Sequence, residues 1–347
     1  MSLLGQRAAM LRMGRVAGIA LAMGALAATT AGIAATVYLM PVQTGPLVAP
    51  VIVEVPAGST AAAVGEILER HGLIRSALLF RVMARLEGLD GSLQAGYYRL
   101  RPDMHLREVL RMLAQGTVAV EQVTIPEGAT IRTIAAQLQR RGLVDAERFI
   151  ELASDDTWLL GDEPRSIPKP PGSLEGYLFP DTYRFEVGQG EESIIQKMVA
   201  RFAEKVLPVY EELGEGSGLS LHEAITLASI IEKEAMRDSE RPLISSVFHN
   251  RLRLGQPLQA DPTLMYVLDP APRKLYNKHL AIDSPYNTYR YRGLPPTPIA
   301  SPGLASIRAA LRPADTPYLY FVARGDGTHI FSRTFQEHVR ARQQVRL

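Results

Sequence analysis

Glu234 closes the run Leu219-Ser-Leu-His-Glu-Ala-Ile-Thr-Leu-Ala-Ser-Ile-Ile-Glu-Lys-Glu-Ala235. Ile225, Leu227, Ile230 and Ile231 recur there at the period of a core-facing helical stripe. Glu234 falls on the same stripe, seven residues after Leu227, four after Ile230 and three after Ile231. Glu232 points nearly opposite and reads as a solvated charge. A carboxyl pressed against apolar side chains loses hydration, which disfavours its charged form and raises its pKa. Asp238, four residues on, adds a like charge that pushes the same way. A carboxyl that keeps its proton near neutral pH is what a general acid requires. The same spacing also fits a helix-end glutamate that tilts into solvent.

The elements that must hold Glu234 are legible around it. Ser220 can cap a helix start, and Glu223 can reach back to it as a capping box. The spacing predicts a helix over about 221–236. Ser239 can cap a second helix over about 241–254, which Gly255 stops. Glu234 then lies in the last turn before a short connection, a rigid element facing a cleft. Downstream, Leu258-Gln-Ala-Asp-Pro-Thr-Leu-Met-Tyr266 gathers Gln259, Asp261, Thr263 and Tyr266 around one proline. Residues 284–303 place four Tyr or Asn groups and five prolines in twenty residues. Such a loop is stiff, so its polar groups are ordered at low entropic cost; it reads as a binding wall or as a surface loop over a sheet edge. Tyr318–Val322 and His329–Phe331 read as paired strands across Gly325-Asp-Gly327. The aromatics Tyr177, Phe179, Tyr183 and Phe185 alternate around a Pro-Asp turn. Their composition favours a half-buried strand pair over a wall of rings for a sugar chain.

The chain has 347 residues, room for two or three domains, and a net charge of +2. With no basic stripe interleaved with aromatics, nucleic acid is not an expected partner. Cysteine is absent, which excludes disulfides, thiol nucleophiles and Cys-based metal sites. His222-Glu223 opens like a zinc-protease motif, but Thr226 stands where the second histidine is needed. No metal and no cofactor is expected, and no Gly-rich phosphate loop is present. Val16 to Met40 is a run of 25 residues without a charge, preceded by Arg7, Arg12 and Arg15. It reads as a transmembrane helix with residues 1–15 in the cytoplasm and the rest outside; a cleaved signal peptide after Ala25-Leu-Ala27 is the other reading. Residues 41–50 form a linker. A repeat follows at a constant offset of 70, in which Val53-Glu-Val-Pro-Ala-Gly-Ser-Thr60 matches Val123-Thr-Ile-Pro-Glu-Gly-Ala-Thr130. The match continues through Leu68/Leu138, Arg70/Arg140, Gly72/Gly142 and Leu73/Leu143. Each copy reads as strand, Pro-x-Gly turn and a helix stopped by glycine. The fold class is α+β: a transmembrane helix (16–40), an α+β module (51–118), a second repeat-like segment and connector (119–190), and a mixed α+β C-terminal catalytic domain (191–347).

The Pro56-x-Gly58-x-Thr60 turn and the strand-helix-helix-strand order of the first module resemble the LysM-like module, whose relatives bind N-acetylated cell-wall sugars. A structural spacer fits the same residues. The chain as a whole resembles the endolytic murein transglycosylase (YceG-like) family. The stretches that carry the resemblance include Glu175–Tyr183, Leu227–Glu234, Ser246–Leu252, Leu258–Thr263, Tyr286–Tyr289, Gly293–Pro296 and Thr316–Val322. Ala260 and Leu264 depart from the expected Thr and β-branched residue. The resemblance implies cleavage of the MurNAc-β-1,4-GlcNAc bond within peptidoglycan strands, without water, leaving 1,6-anhydro ends. It implies an enzyme of the inner membrane that acts on peptidoglycan and meets its synthases, and that ends nascent strands. It makes Glu234 the catalytic residue. Glu232, Glu175 and Asp261 are then candidates for a supporting role, and Gln259, Asn287 and Tyr289 for hydrogen bonds to the N-acetyl groups. A hydrolytic muramidase with a second carboxylate, or a non-catalytic scaffold for glycan strands, are the alternatives.

Overall fold

The turn-and-helix pattern repeated at an offset of 70 forms twice in the computed structural model of the protein. The structure describes residues 51–155, 172–268 and 274–345, with scattered positions from 23 to 50. The segment expected to cross a membrane, 16–40, lies for the most part outside these residues. Among the described residues no helix is long and apolar enough to cross a membrane. The chain divides into two compact units, residues 1–120 with 186–188, and residues 121–185 with 189–347.

In the first unit, β1 (Val51–Val55) pairs antiparallel with β2 (Gly96–Leu100), Val53 facing Tyr98. Helices α1 (Ala61–Arg70), α2 (Ala77–Leu86) and α3 (Leu106–Gln115) complete a βααβα order. The Pro56-x-Gly58 turn delivers Thr60 as the cap of α1, where its side chain accepts from the Ala63 amide. Ser76 does the same for α2. Val53, Val64, Leu68, Phe80, Tyr98, Leu110 and Leu113 form the buried core.

The second unit begins with the same order. β3 (Val120–Thr124) pairs with β4 (Thr182–Glu186), with α4 (Ile131–Gln139) and α5 (Ala146–Ser154) between them and the long α6 (Glu191–Ser217) after. Thr130 caps α4 in a full capping box with Thr133. There follow α7 (Leu221–Glu234), α8 (Arg241–Arg253), α9 (Asp261–Val267), α10 (Asn277–Leu280) and α11 (Leu304–Leu311). The β5–β6 hairpin (Tyr320–Ala323 with His329–Ser332, Phe321 opposite Phe331) and α12 (Phe335–Gln344) end the unit.

Two expectations about local structure are corrected. Ser239 does not cap α8: a single 3-10 turn over Asp238–Glu240 leads in, and Pro242 occupies the first turn of α8, where its missing amide costs nothing. The aromatic stretch 173–185 is not a strand pair. It turns at 175–177, only 182–186 is strand, and Tyr177, Phe179, Tyr183 and Phe185 are all buried. These rings are core, not a sugar-facing wall: Tyr177 packs on Phe202, ring centroids 4.9 Å apart. Gly176 permits that burial. It has a φ of 85°, and any Cβ there would lie 2.5 Å from Pro298 and 3.1 Å from Ile225.

Candidate active site

Helix α7 starts as its sequence dictates. Ser220 accepts from the Glu223 amide, and the Glu223 carboxylate accepts from the Ser220 amide at 2.9 Å. It is not amphipathic, because every residue from Ala224 to Ile231 is buried, the mark of a helix enclosed on all sides. His222 fixes its first turn: Tyr177 Oη lies 3.0 Å from Nδ1, and Nε2 lies 2.8 Å from the Pro296 carbonyl. With Nε2–H donating to that carbonyl, Nδ1 is left to accept from the tyrosine. Ser229 Oγ accepts from the Ile299 amide at 3.0 Å, pinning the proline-rich loop along the helix.

That enclosure overturns the expectation of a solvated Glu232. Its side chain is only 7% exposed and lies 3.2 Å from the Arg241 guanidinium. It also accepts from the Gly303 amide at 3.0 Å and from Ser306 Oγ at 2.9 Å, at the start of α11. A carboxylate at a helix N-terminus with an arginine beside it is neutralised and saturated. Glu232 joins α7, α8 and α11, a structural task. Asp238 likewise turns from Glu234 and pairs with Arg241 at 2.9 Å.

Glu234, two residues on, has the opposite environment. No described residue hydrogen-bonds to it or forms an ion pair with it. Its pKa is pushed up to about 8, first by burial and second by the Asp261 carboxylate. The expected rise is therefore present, but the like charge that adds to it comes from a different helix. Such a carboxyl favours its protonated form at pH 7.

Asp261 opens α9 and is exposed. Tyr289 Oη donates a hydrogen bond to its Oδ1. Burial and that bond both raise the Tyr289 pKa, and Glu234 raises it further. Glu234, Asp261 and Tyr289 therefore share one electrostatic site. The turn carrying Asp261 is held from two sides. Thr288 offers its carbonyl to the Gln259 amide at 2.9 Å and its Oγ1 to the Ala260 amide at 3.0 Å. Buried Arg251 donates through Nη1 to the Leu258 carbonyl at 2.8 Å and through Nε to the Leu319 carbonyl at 2.7 Å, and lies 5.0 Å from the centroid of the Tyr320 ring.

Asn287 spends its side chain on its own loop. It is fully buried, its Nδ2 donates to the Leu280 and Ile282 carbonyls at 3.0 and 2.8 Å, and its Oδ1 accepts from the Tyr289 amide at 3.1 Å. It shapes the loop that presents Tyr289, because both of its donors are already used. Glu175 also sits inside, 3% exposed. It accepts from the Ile131 amide at 3.2 Å, at the start of α4, and from Tyr266 Oη on α9 at 3.2 Å. Burial outweighs these bonds and lifts its pKa to about 7.

Arg251 and Thr288 lie inside stretches that carry the resemblance and Arg241 does not, but no spacing marks any of the three as part of the site. An arginine near a helix end reads as a solvated complement to the helix dipole, and only tertiary packing buries Arg251 under Tyr320. Tyr266 was visible beside Asp261, but its bond to Glu175 spans 91 residues.

Residues 53–344 match the YceG-like family. The chain is 36% identical over 304 residues to the endolytic murein transglycosylase of Bacillus subtilis, covering 84% of this chain and 83% of that one. It is 34% identical over 321 residues to the endolytic murein transglycosylase of Streptococcus pneumoniae D39, covering 84% of this chain and 57% of that longer protein. The crystal structure of a yceG-like protein from Listeria monocytogenes superposes with a TM-score of 0.58 at 34% identity, covering 85% of this chain and 99% of that one.

Proposed function

The chain belongs to the YceG-like family, and from that premise we propose that it is a peptidoglycan lytic transglycosylase with Glu234 as its acid and base. The observation that carries this reading is the carboxyl at the end of α7. It is unpaired among the described residues, with its pKa raised to about 8. Protonated Glu234 donates to the glycosidic oxygen as the bond from the MurNAc anomeric carbon to that oxygen breaks. The Glu234 carboxylate then takes the proton of the muramyl 6-hydroxyl, whose oxygen bonds to the same anomeric carbon. The strand leaves with a 1,6-anhydro end, and the enzyme recovers its proton without water. Asp261, oriented by the Tyr289 hydroxyl, opposes loss of the Glu234 proton and favours the positive charge that develops on the sugar ring. Glu232 stays a structural ion pair. Gln259 and Tyr289, beside the Asp261 turn, are the candidates for hydrogen bonds to the sugar.

The uncharged run 16–40 with its arginine-rich flank supports anchorage in the inner membrane, with both compact units on the outer side. Termination of nascent strands and contact with the synthases follow from the family resemblance.

The test is digestion of purified peptidoglycan by the full chain in detergent, beside Glu234→Gln, with products weighed by mass spectrometry. We expect anhydro ends from the wild type and a loss of about 10²- to 10⁴-fold in the variant, the usual value of general acid–base catalysis. Products heavier by one water would instead make Asp261 the second carboxylate of a muramidase. A folded Glu234→Gln variant as active as wild type would sink the assignment.

A further inference from the structure

Helix α2 is apolar on both of its sides. Phe80 and Ala84 are fully buried in the core of the first unit. On the opposite side Leu78, Val82 and Leu86 form a stripe at four-residue spacing and are 62, 42 and 77% exposed. A surface helix ordinarily turns polar residues outward, and a contiguous apolar patch left in water marks an interaction surface. The corresponding helix of the second copy follows the ordinary rule. Phe149 and Ala153 of α5 take the buried places of Phe80 and Ala84, and the outer places hold Glu147, Glu151 and Asp155, all exposed.

The charges beside the stripe have one sign. Arg81 and Arg85 flank it and are exposed, and no described residue forms an ion pair with either. The helix carries no acidic residue, and Glu87, which follows it, is neutralised by Arg107 at 2.6 Å. The start of α2 is also tied to the end of the uncharged run 16–40. Arg75, one residue before the Ser76 cap, donates through Nη2 to the Pro41 carbonyl at 2.9 Å and to the Val42 carbonyl at 3.2 Å. The Gln43 amide donates to the Pro102 carbonyl at 3.1 Å, and Leu39 packs on the core of the unit. The chain is thus bound to the first unit from the point where the run ends.

We propose that the outer face of α2 lies on an anionic lipid surface, with Leu78, Val82 and Leu86 at the acyl boundary and Arg81 and Arg85 on lipid phosphates. The proposal rests on the anchorage reading and adds to it a second, reversible contact that holds the first unit flat against the bilayer. Aliphatic side chains gain by leaving water for the headgroup boundary, and guanidinium groups at their edge match phosphate oxygens. The acidic face of α5 would be repelled by the same surface.

The chain has no cysteine, so Val82→Cys and Glu151→Cys each supply a single thiol for a fluorescent label. The full chain with either label is reconstituted into vesicles of equal parts phosphatidylglycerol and phosphatidylcholine, or of phosphatidylcholine alone. Doxyl-labelled lipid reports contact with the bilayer, and iodide reports contact with water. Doxyl lipid should quench the label at 82 and not the label at 151, and more strongly in the anionic vesicles. Arg81→Gln with Arg85→Gln should lower the ratio of docked to free chain about 10- to 30-fold, each arginine near an anionic surface contributing about 5-fold. High salt should lower it as well. Equal behaviour of the two labels overturns the proposal. So does a label at 82 that is shielded from iodide yet out of reach of doxyl lipid, which would mean that a second copy of the chain covers the face. Alkaline carbonate separates the two readings. Chain retained in the vesicles with residue 82 unquenched sinks the docking alone, whereas chain extracted by carbonate after showing quenching at 82 sinks the anchor and supports the docking.

Discussion

The two copies of the repeat share their local chemistry and differ in what surrounds it. In both, the Pro-x-Gly turn has its glycine near φ 75°, Gly58 at 75° and Gly128 at 74°. In both, a threonine caps the next helix, accepting at 3.3 Å from Ala63 and at 3.2 Å from Thr133. Yet a Cβ placed at Gly58 meets open space, whereas one at Gly128 lies 3.5 Å from Lys233 and 3.7 Å from Glu232. The Gly128 amide donates to the Ser301 carbonyl at 2.8 Å, and Lys233 Nζ donates to the Gly128 carbonyl at 3.3 Å. Ala57 in the first copy corresponds to Glu127 in the second, whose pKa is raised by burial and by Glu232. The second copy also takes the Glu175 carboxyl at the start of its helix. One turn motif thus serves as a solvated corner in one place and as a seat for the end of α7 in the other. What differs is the charge that tertiary packing buries against it.

The largest effect that separates the copies is pH. Glu175 and Glu234 both hold their protons more tightly folded than unfolded, with pKa values of about 7 and about 8. The stability this confers is complete below the unfolded value of about 4.3. It is lost as pH rises through about 7 and then about 8. We expect hydrogen exchange, corrected for intrinsic rate, to show the second unit losing about 6 kcal/mol between pH 5 and pH 8.5, with the first unit nearly flat. Glu234→Gln should flatten part of that slope. An equal slope in both units would break the contrast.

Next in size, Glu175→Ala should cost about 2 kcal/mol, since it strands the Ile131 amide and the Tyr266 hydroxyl. Chemical denaturation would measure it, and Glu175→Gln should restore most of the loss. A fully stable alanine variant would mean that the helix start needs no acceptor.

Gly58→Ala and Gly128→Ala should each cost about 1–2 kcal/mol, the penalty of a left-handed alanine. Only Gly128→Ala should also lower turnover, through Lys233 and the end of α7. Equal turnover in the two variants would remove the functional half of the comparison.

The smallest effect sharpens the shared half. Thr60→Ala and Thr130→Ala should each lose about 1 kcal/mol, with Thr130 the larger because its capping box with Thr133 is reciprocal. Thermal melts would show it, and a large difference would mean the copies are not locally equivalent.

Sequence pattern determined much of this protein: the 70-residue repeat, the capping box that starts α7, the β5–β6 hairpin and the position of Glu234 at a helix end. Each depends on residues a few positions apart, where spacing and cap chemistry act through the backbone itself. The division of labour between Glu232 and Glu234 was not legible. The helical stripe separated them by face, but both faces are covered. Partners at Gly303 and Ser306, more than 70 residues away, neutralise Glu232. Asn287 read as a ligand contact and proved to be a loop brace, because both of its donors go to the carbonyls of Leu280 and Ile282. The like charge on Glu234 comes from Asp261, which only the packing of α9 brings near. A carboxyl's spacing is written in its helix, but its protonation depends on which distant donors reach it and which do not. That was decided by the tertiary structure alone.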